Sequence, residues 1–361
     1  MANEAVNNSR PRRMRRRLLL ALLVVSLGGL TWLLLPAPDP LFHGRPESEW
    51  IKTIRFFGAD SSIAARQEQI ERWRNWGPDG LRVLAHALDK ADHPIQRHYR
   101  RLYRFLSAGL PGFLVRRLPS PGVIVIGGQP VDVILLLSLL GKDALPAAGA
   151  VARAMNSDDS AVRQSAINFF TRGADKNRLL NHLEPKAKRQ LLPAFLSATQ
   201  DSHWGVRNNA AVALRYYPEQ REAVVPALTS LLRDSEVRVQ MTAADSFQKV
   251  APELVATSGV VSVVVRLLKN PNDQIDLWAA DWLGTVRCEP NLAVPALIES
   301  LQNPNSLVAS TAAQSLTRYK EQADIIVPAL KQAALREDTA SFALPALRQF
   351  SGGASNQGAQ K

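Results

Sequence analysis

Apolar residues recur at helical spacing along most of the chain, and from about residue 190 they keep step with a repeated tetrapeptide. Val225-Pro226-Ala227-Leu228, Val294-Pro295-Ala296-Leu297 and Val327-Pro328-Ala329-Leu330 are near-copies. Leu192-Pro193-Ala194-Phe195 and Leu145-Pro146-Ala147-Ala148 are variants, and Val261-Ser262-Val263-Val264 holds the same place without the proline. With Pro193, Pro226, Ser262, Pro295 and Pro328 as marks, the spacings are 33, 36, 33 and 33 residues. Thirteen residues after each of the first four marks stands Val206, Val239, Ile275 or Val308. Seventeen after stands Ala210, Ala243, Ala279 or Ala312, and twenty-one after stands Leu214, Phe247, Leu283 or Leu316. Steps of four put these side chains on one helical face. Eight after each mark stands Asp201, Asp234, Asn270 or Asn303, the last two followed by Pro271 and Pro304, which marks a turn. The pattern predicts units of helix, short turn and second helix. It places the mark proline in the first turn of the first helix, where a missing N–H goes unnoticed, and alanine where helices approach closely. Neither helix buries its apolar face alone, so the units must stack.

Earlier segments follow the pattern less closely. Residues 145–170 fit with about three extra residues before Val162-Arg163. Residues 81–106 fit with Arg82 as the mark, which puts Ile95 and Tyr103 at the two apolar positions. Residues 62–76 read as a helix leading into Gly77-Pro78. The expected fold is therefore all-α, an α-α superhelix of about seven helical pairs over residues 62–350. Residues 109–130 (GLPGFLVRRLPSPGVIVIGGQP) break the period and form an insertion, either a partner- or membrane-touching loop or a packed one. Residues 131–140 (VDVILLLSLL) are too short to span a bilayer and read as a buried second helix. Residues 351–361, rich in Gly, Ser, Gln and Ala, are expected to be disordered.

The N-terminus has another character. Residues 18–35 (LLLALLVVSLGGLTWLLL) carry no charge, and as a helix they would be about 27 Å long, close to the hydrocarbon thickness of a bilayer. Five of the six residues 12–17 are Arg. The positive-inside rule then makes residues 1–17 cytoplasmic, 18–35 a transmembrane signal anchor, and everything after Pro36 extracytoplasmic. A cleaved signal peptide is the competing reading, although Leu35-Pro36-Ala37-Pro38 lacks a clean small-x-small site. Residues 36–61 are then a linker and entry segment, opened by a stiff Pro-Ala-Pro-Asp-Pro.

Composition narrows the function classes. The formal net charge is +12; leaving out the six Arg and one Glu of residues 1–35 leaves 38 basic and 31 acidic residues, a net +7. Both signs are interspersed, which disfavours nucleic acid as a partner and allows an acidic protein or anionic lipid. Aromatics are 6% and Cys288 is the single cysteine, so there is neither an intrachain disulfide nor a cysteine metal site. The six His form no His-x-x-x-His, and no His-Glu dipeptide, Gly-x-Ser-x-Gly, phosphate-binding loop or dinucleotide fingerprint occurs. No enzyme activity and no cofactor are expected.

The unit resembles the short HEAT repeat common in bacterial proteins: a Pro-Ala-Leu first helix, an Asp turn, and a Val-Arg-x-x-Ala-Ala second helix. Residues 206–214 (VRNNAAVAL) match it best and 162–166 (VRQSA) in part, while Gln240, Asp276 and Ala309 replace the family's Arg. Pro40-Leu41-Phe42-His43-Gly44, followed by Trp50, resembles an entry motif found between membrane segment and repeats in membrane-anchored bacterial HEAT proteins. The resemblance covers roughly residues 40–350 and implies a HEAT-type, armadillo-like solenoid that acts as a scaffold.

Two sets of residues are candidate contacts. Arg97, Arg100, Arg101 and Arg104 share one helical stripe and would dock an acidic protein or a lipid headgroup, or form a solvated face. Trp204, Trp278 and Trp282 lie in or beside second helices, as inter-repeat packing or as an aromatic hot spot. The expected function is a membrane-anchored scaffold for an unknown protein partner. An accessory lyase-like or chaperone protein acting on a client, and a peripheral lipid-binding organiser, are the alternatives.

Overall fold

The computed structural model describes residues 39–54, 63–91, parts of 102–112, 130–173 and 178–351. The N-terminal apolar segment, nearly all of the 109–130 insertion and residues 352–361 lie outside the described residues. The chain divides into two compact units, residues 1–72 with 82–133, and residues 73–81 with 134–361.

In the first unit a minimal hairpin pairs β1 (Leu41–Phe42) with β2 (Arg45–Pro46). His43 and Gly44 make the turn with φ of 45° and 74°, the left-handed pair that a two-residue hairpin needs. Trp50 of α1 (Glu47–Lys52) closes it by donating its indole N–H to Phe42 O at 2.7 Å, with the Arg45 guanidinium 5.3 Å above the ring. Further along the chain come α2 (Ile63–Asn75) and α3 (Gly77–Ala91). Glu47 is 97% buried and is clasped by Arg82 Nη1 at 3.1 Å and His86 Nδ1 at 2.7 Å, both on α3. A buried carboxylate is tolerable only with such partners. The resemblance-derived entry motif is thus a compact turn that α3 holds by charge.

The second unit is the repeat array. α4 (Pro130–Leu140) runs into a 3-10 segment, Gly141–Ala147, and α5 (Ala148–Ala154). By length and composition the run Pro130–Ala154 could cross a membrane, but half of its most apolar stretch is buried inside the protein. Gly141, at φ 65°, breaks it after Leu140. Val133, Ile134, Leu136, Leu137 and Leu140 are all buried, as expected for a core helix. Next come α6 (Ser160–Thr171), the single turn α7 (Leu179–His182), and then five helical pairs. These are α8 (Pro185–Ala198) with α9 (Trp204–Leu214), and α10 (Arg221–Leu231) with α11 (Val237–Val250). They continue with α12 (Val260–Leu267) and α13 (Asp273–Val286), then α14 (Pro290–Ser300) and α15 (Ser306–Leu316). The last pair is α16 (Ala323–Ala334) and α17 (Glu337–Ser351).

The periodic residues do what their spacing demands. All four alanines and all four large residues at the seventeen and twenty-one positions are buried, as are Val206, Val239 and Val308; Ile275 is half-buried. The Asp/Asn at the eighth position builds the turn: Asp201, Asp234, Asn270 and Asn303 each accept the N–H of the residue two further on, at 2.8–3.1 Å. That residue then caps the second helix where its side chain allows, as with His203, Asn272 and Asn305.

The same turn residue links neighbouring units. Arg163 grips Asp201 through Nε and Nη2 at 2.6 and 2.7 Å, and Arg207 grips Asp234 through the same two atoms at 2.6 and 2.7 Å. The next link fails: Gln240 keeps the backbone contact, donating to Asp234 O at 2.6 Å. One unit later the polarity is reversed, with Asn303 donating to Asp276 Oδ2 at 3.3 Å.

One expectation is corrected. The mark prolines do not sit in the first turn; Pro193, Pro226, Pro295 and Pro328 lie inside their helices, because each first helix begins five to eight residues earlier. A proline there leaves the carbonyl four residues back without its N–H. Each of these prolines is exposed, and so are Arg189, Glu222, Asn291 and Asp324, whose carbonyls are released; water therefore satisfies them.

Candidate partner-binding face

Second helices pack on their successors at α6/α9, α9/α11, α13/α15 and α15/α17. Small residues allow this: an added Cβ on Gly284 of α13 would fall 2.3 Å from Ser315 Oγ of α15. At α11/α13 the backbones do not come together to a comparable extent. This is the junction of the 36-residue unit. A 3-10 turn follows α11 at Pro252–Leu254, as it follows α9 at Pro218–Gln220 and α15 at Lys320–Gln322; the added residues lie beyond it, and the chain enters α12 through Gly259 at φ 76°.

Two of the sequence-picked tryptophans fill that junction. Trp278 and Trp282, one turn apart on α13, have ring centroids 6.3 Å apart with planes tilted by 39°. Trp278 is half-buried and Trp282 is 5% exposed. Asp245 of α11 lies against both indoles. Burial pushes its carboxyl above the usual range, and this outweighs the pull of Arg215, the Trp278 indole N–H, Lys249 and Trp282. Trp282 Nε1 comes near this carboxylate without making a hydrogen bond and is left buried and unsatisfied.

The third tryptophan stands apart from this pair, two units earlier. Trp204 opens α9 with 36% of its surface exposed, parallel to the His203 ring at 6.1 Å. Arg238, from the first turn of α11, places its guanidinium carbon 6.0 Å from the Trp204 ring centroid. Arg97, Arg100, Arg101 and Arg104 lie outside the described residues.

The periodicity did not reveal Asp245 or Arg238. Position 245 is nineteen after its mark, where the other units carry Val212, Asp281 and Gln314. The signal available was an acid on the helix preceding a tryptophan pair. Among the described residues no group of three or more His, Cys, Asp or Glu is placed to hold a metal ion. Cys288 is half-buried, and burial raises its thiol above the ordinary range.

The described helices therefore define an all-α repeat domain of HEAT/armadillo-like type. No protein-family model matches the chain, and no curated protein does. Among solved structures, an engineered protein is 20% identical over 57% of this chain and 97% of its own, with a TM-score of 0.42. A designed armadillo repeat protein is 19% identical over 55% and 98%, at 0.41. The archaeal HEAT-like repeats protein of Thermococcus onnurineus is 16% identical over 61% and 92%, at 0.39.

Proposed function

We propose that this chain is a membrane-anchored scaffold that holds a partner protein on the face of its second helices. Residues 18–35 anchor it in the cytoplasmic membrane, residues 1–17 stay inside, and the repeats work outside. The Arg-rich flank and uncharged apolar run support the anchor. The docking half rests on the α11/α13 junction, where a tryptophan pair and an incompletely compensated carboxylate occupy the place of close backbone packing. Half-exposed tryptophan beside a desolvated charge is hot-spot chemistry, and truncating such a residue weakens binding by about 2 kcal/mol, roughly 30-fold.

Site-specific photocrosslinking in native membranes tests this. A photoreactive residue at Trp204 or Leu277 is expected to trap the same partner, while one at Leu292 on a first helix traps none. Trp278→Ala is expected to abolish the Leu277 adduct. Equal trapping from Leu292, or indifference to Trp278→Ala, would refute the docking face. Deleting residues 18–35 is expected to release the protein from carbonate-washed membranes; retention would refute the anchor.

A further inference from the structure

A separate cleft lies away from the tryptophans. It has a volume of about 440 Å³, within the range of small-molecule sites, and lies where α7, α8 and the turn after α9 meet. Its wall carries Leu180, Asn181, Lys188, Arg189, Glu219 and Gln220.

The two cations are available for a ligand. Tyr217 is fully buried and donates its hydroxyl to Lys188 O at 2.9 Å, while the Lys188 ammonium sits 5.3 Å from the tyrosine ring. Neither contact neutralises the lysine charge. Arg189, next to it and exposed, makes no ion pair among the described residues. Lys186 adds a third positive charge in the same first two turns of α8, and the first turn holds no acid. Ordinary helices favour acids there, because the N-terminus is already positive. The field, offset at the helix start only by the N-cap Glu184, faces a cleft lined by the carboxamides of Asn181 and Gln220 and by apolar Leu183 and Pro185. Glu219 is the one carboxylate on the wall and leaves the cleft with a single net positive charge.

We infer that this cleft binds a small organic anion: a carboxylate or phosphate group between Lys188 and Arg189, a hydroxyl or amine donor toward Glu219, and an apolar body against Leu183 and Pro185. This site is separate from the second-helix face and independent of any partner bound there.

The test uses the full-length chain in detergent, with inorganic phosphate and citrate as probes at constant ionic strength. Citrate is expected to bind saturably in equilibrium dialysis and to raise the unfolding temperature. Arg189→Glu, at an exposed position that leaves the core intact, is expected to weaken citrate at least tenfold. Glu219→Gln is expected to tighten both anions several-fold. Arg233→Glu, outside the cleft, is the charge control and should change neither. The inference fails if neither anion saturates above a chloride control or if Arg189→Glu binds as tightly as the parent. It fails equally if Arg233→Glu weakens binding as much, since bulk charge would then explain the effect.

Discussion

Arg207 acts on two units at once. Its Nε and Nη2 hold Asp234 of the following turn, and its Nη1 donates to Asp201 O at 2.9 Å in its own. Both partners are largely buried, so removing one strands the other. Arg207→Ala is expected to lower unfolding stability by about 3 kcal/mol, measured by denaturant titration. The acids tie this to pH. Burial pushes Asp201 and Asp234 up, but their hydrogen bonds from Arg and the turn N–H, with the Arg charge, leave both below 3.8. Their contribution is complete above that value and is lost as pH falls through the lower folded value. Asp245 has the opposite sign. Its carboxyl is raised by burial, so the folded state takes up a proton sooner than the unfolded chain. Its contribution falls as pH rises from 3.8 through the folded value, and at neutral pH the ionised group opposes folding. Asp245→Asn is therefore expected to raise the unfolding temperature at pH 7 while weakening partner capture; a lower temperature would contradict this reading. The ladder was half legible: Arg163 and Arg207 stand in a recognisable motif, but the Asp276–Asn303 reversal shows only when both side chains are placed.

Within elements, spacing revealed the buried faces and missed where helices begin. The rows at thirteen, seventeen and twenty-one follow from one helical face, and tertiary packing agrees with them. The proline mark misled because proline is also tolerated inside a helix when its released carbonyl faces water. The same feature hid Leu344-Pro345-Ala346-Leu347, which repeats the first-helix tetrapeptide although α17 packs as a second helix on α15 and α16. Close helix approach was legible at the repeated alanines but not at Gly284. Gly284 looks like an ordinary helix weakener, yet Ser315 leaves no room for a Cβ. Gly284→Ala raises helix propensity but should destabilise by about 2 kcal/mol through overpacking of α13 against α15. A chemical-denaturation midpoint equal to or above the parent's would show that the helices can part.

Across the array, the longer unit divides a run of close second-helix contacts into two. Units before α11 and after α13 each share such packing, and the junction between them relies on Trp278 and Trp282. Stability in repeat proteins spreads through neighbour interfaces. Native-state hydrogen exchange is therefore expected to show two cooperative blocks meeting between Val250 and Val260. A single uniform protection level from α9 to α17 would argue for an unbroken array. The 36-residue spacing was visible in the sequence, but only the packing shows what it does.

The reversed link has a consequence for how such an array can grow. Copying α8/α9 in tandem would present Arg207 to a second Asp201, and the joint would be satisfied. Transplanting that same pair behind α13 would set Asp276 against Asp201, two carboxylates with no cation between them. The pair α8/α9 can therefore follow itself, but it cannot be set behind α13 without rewriting the turn residue that meets Asp276.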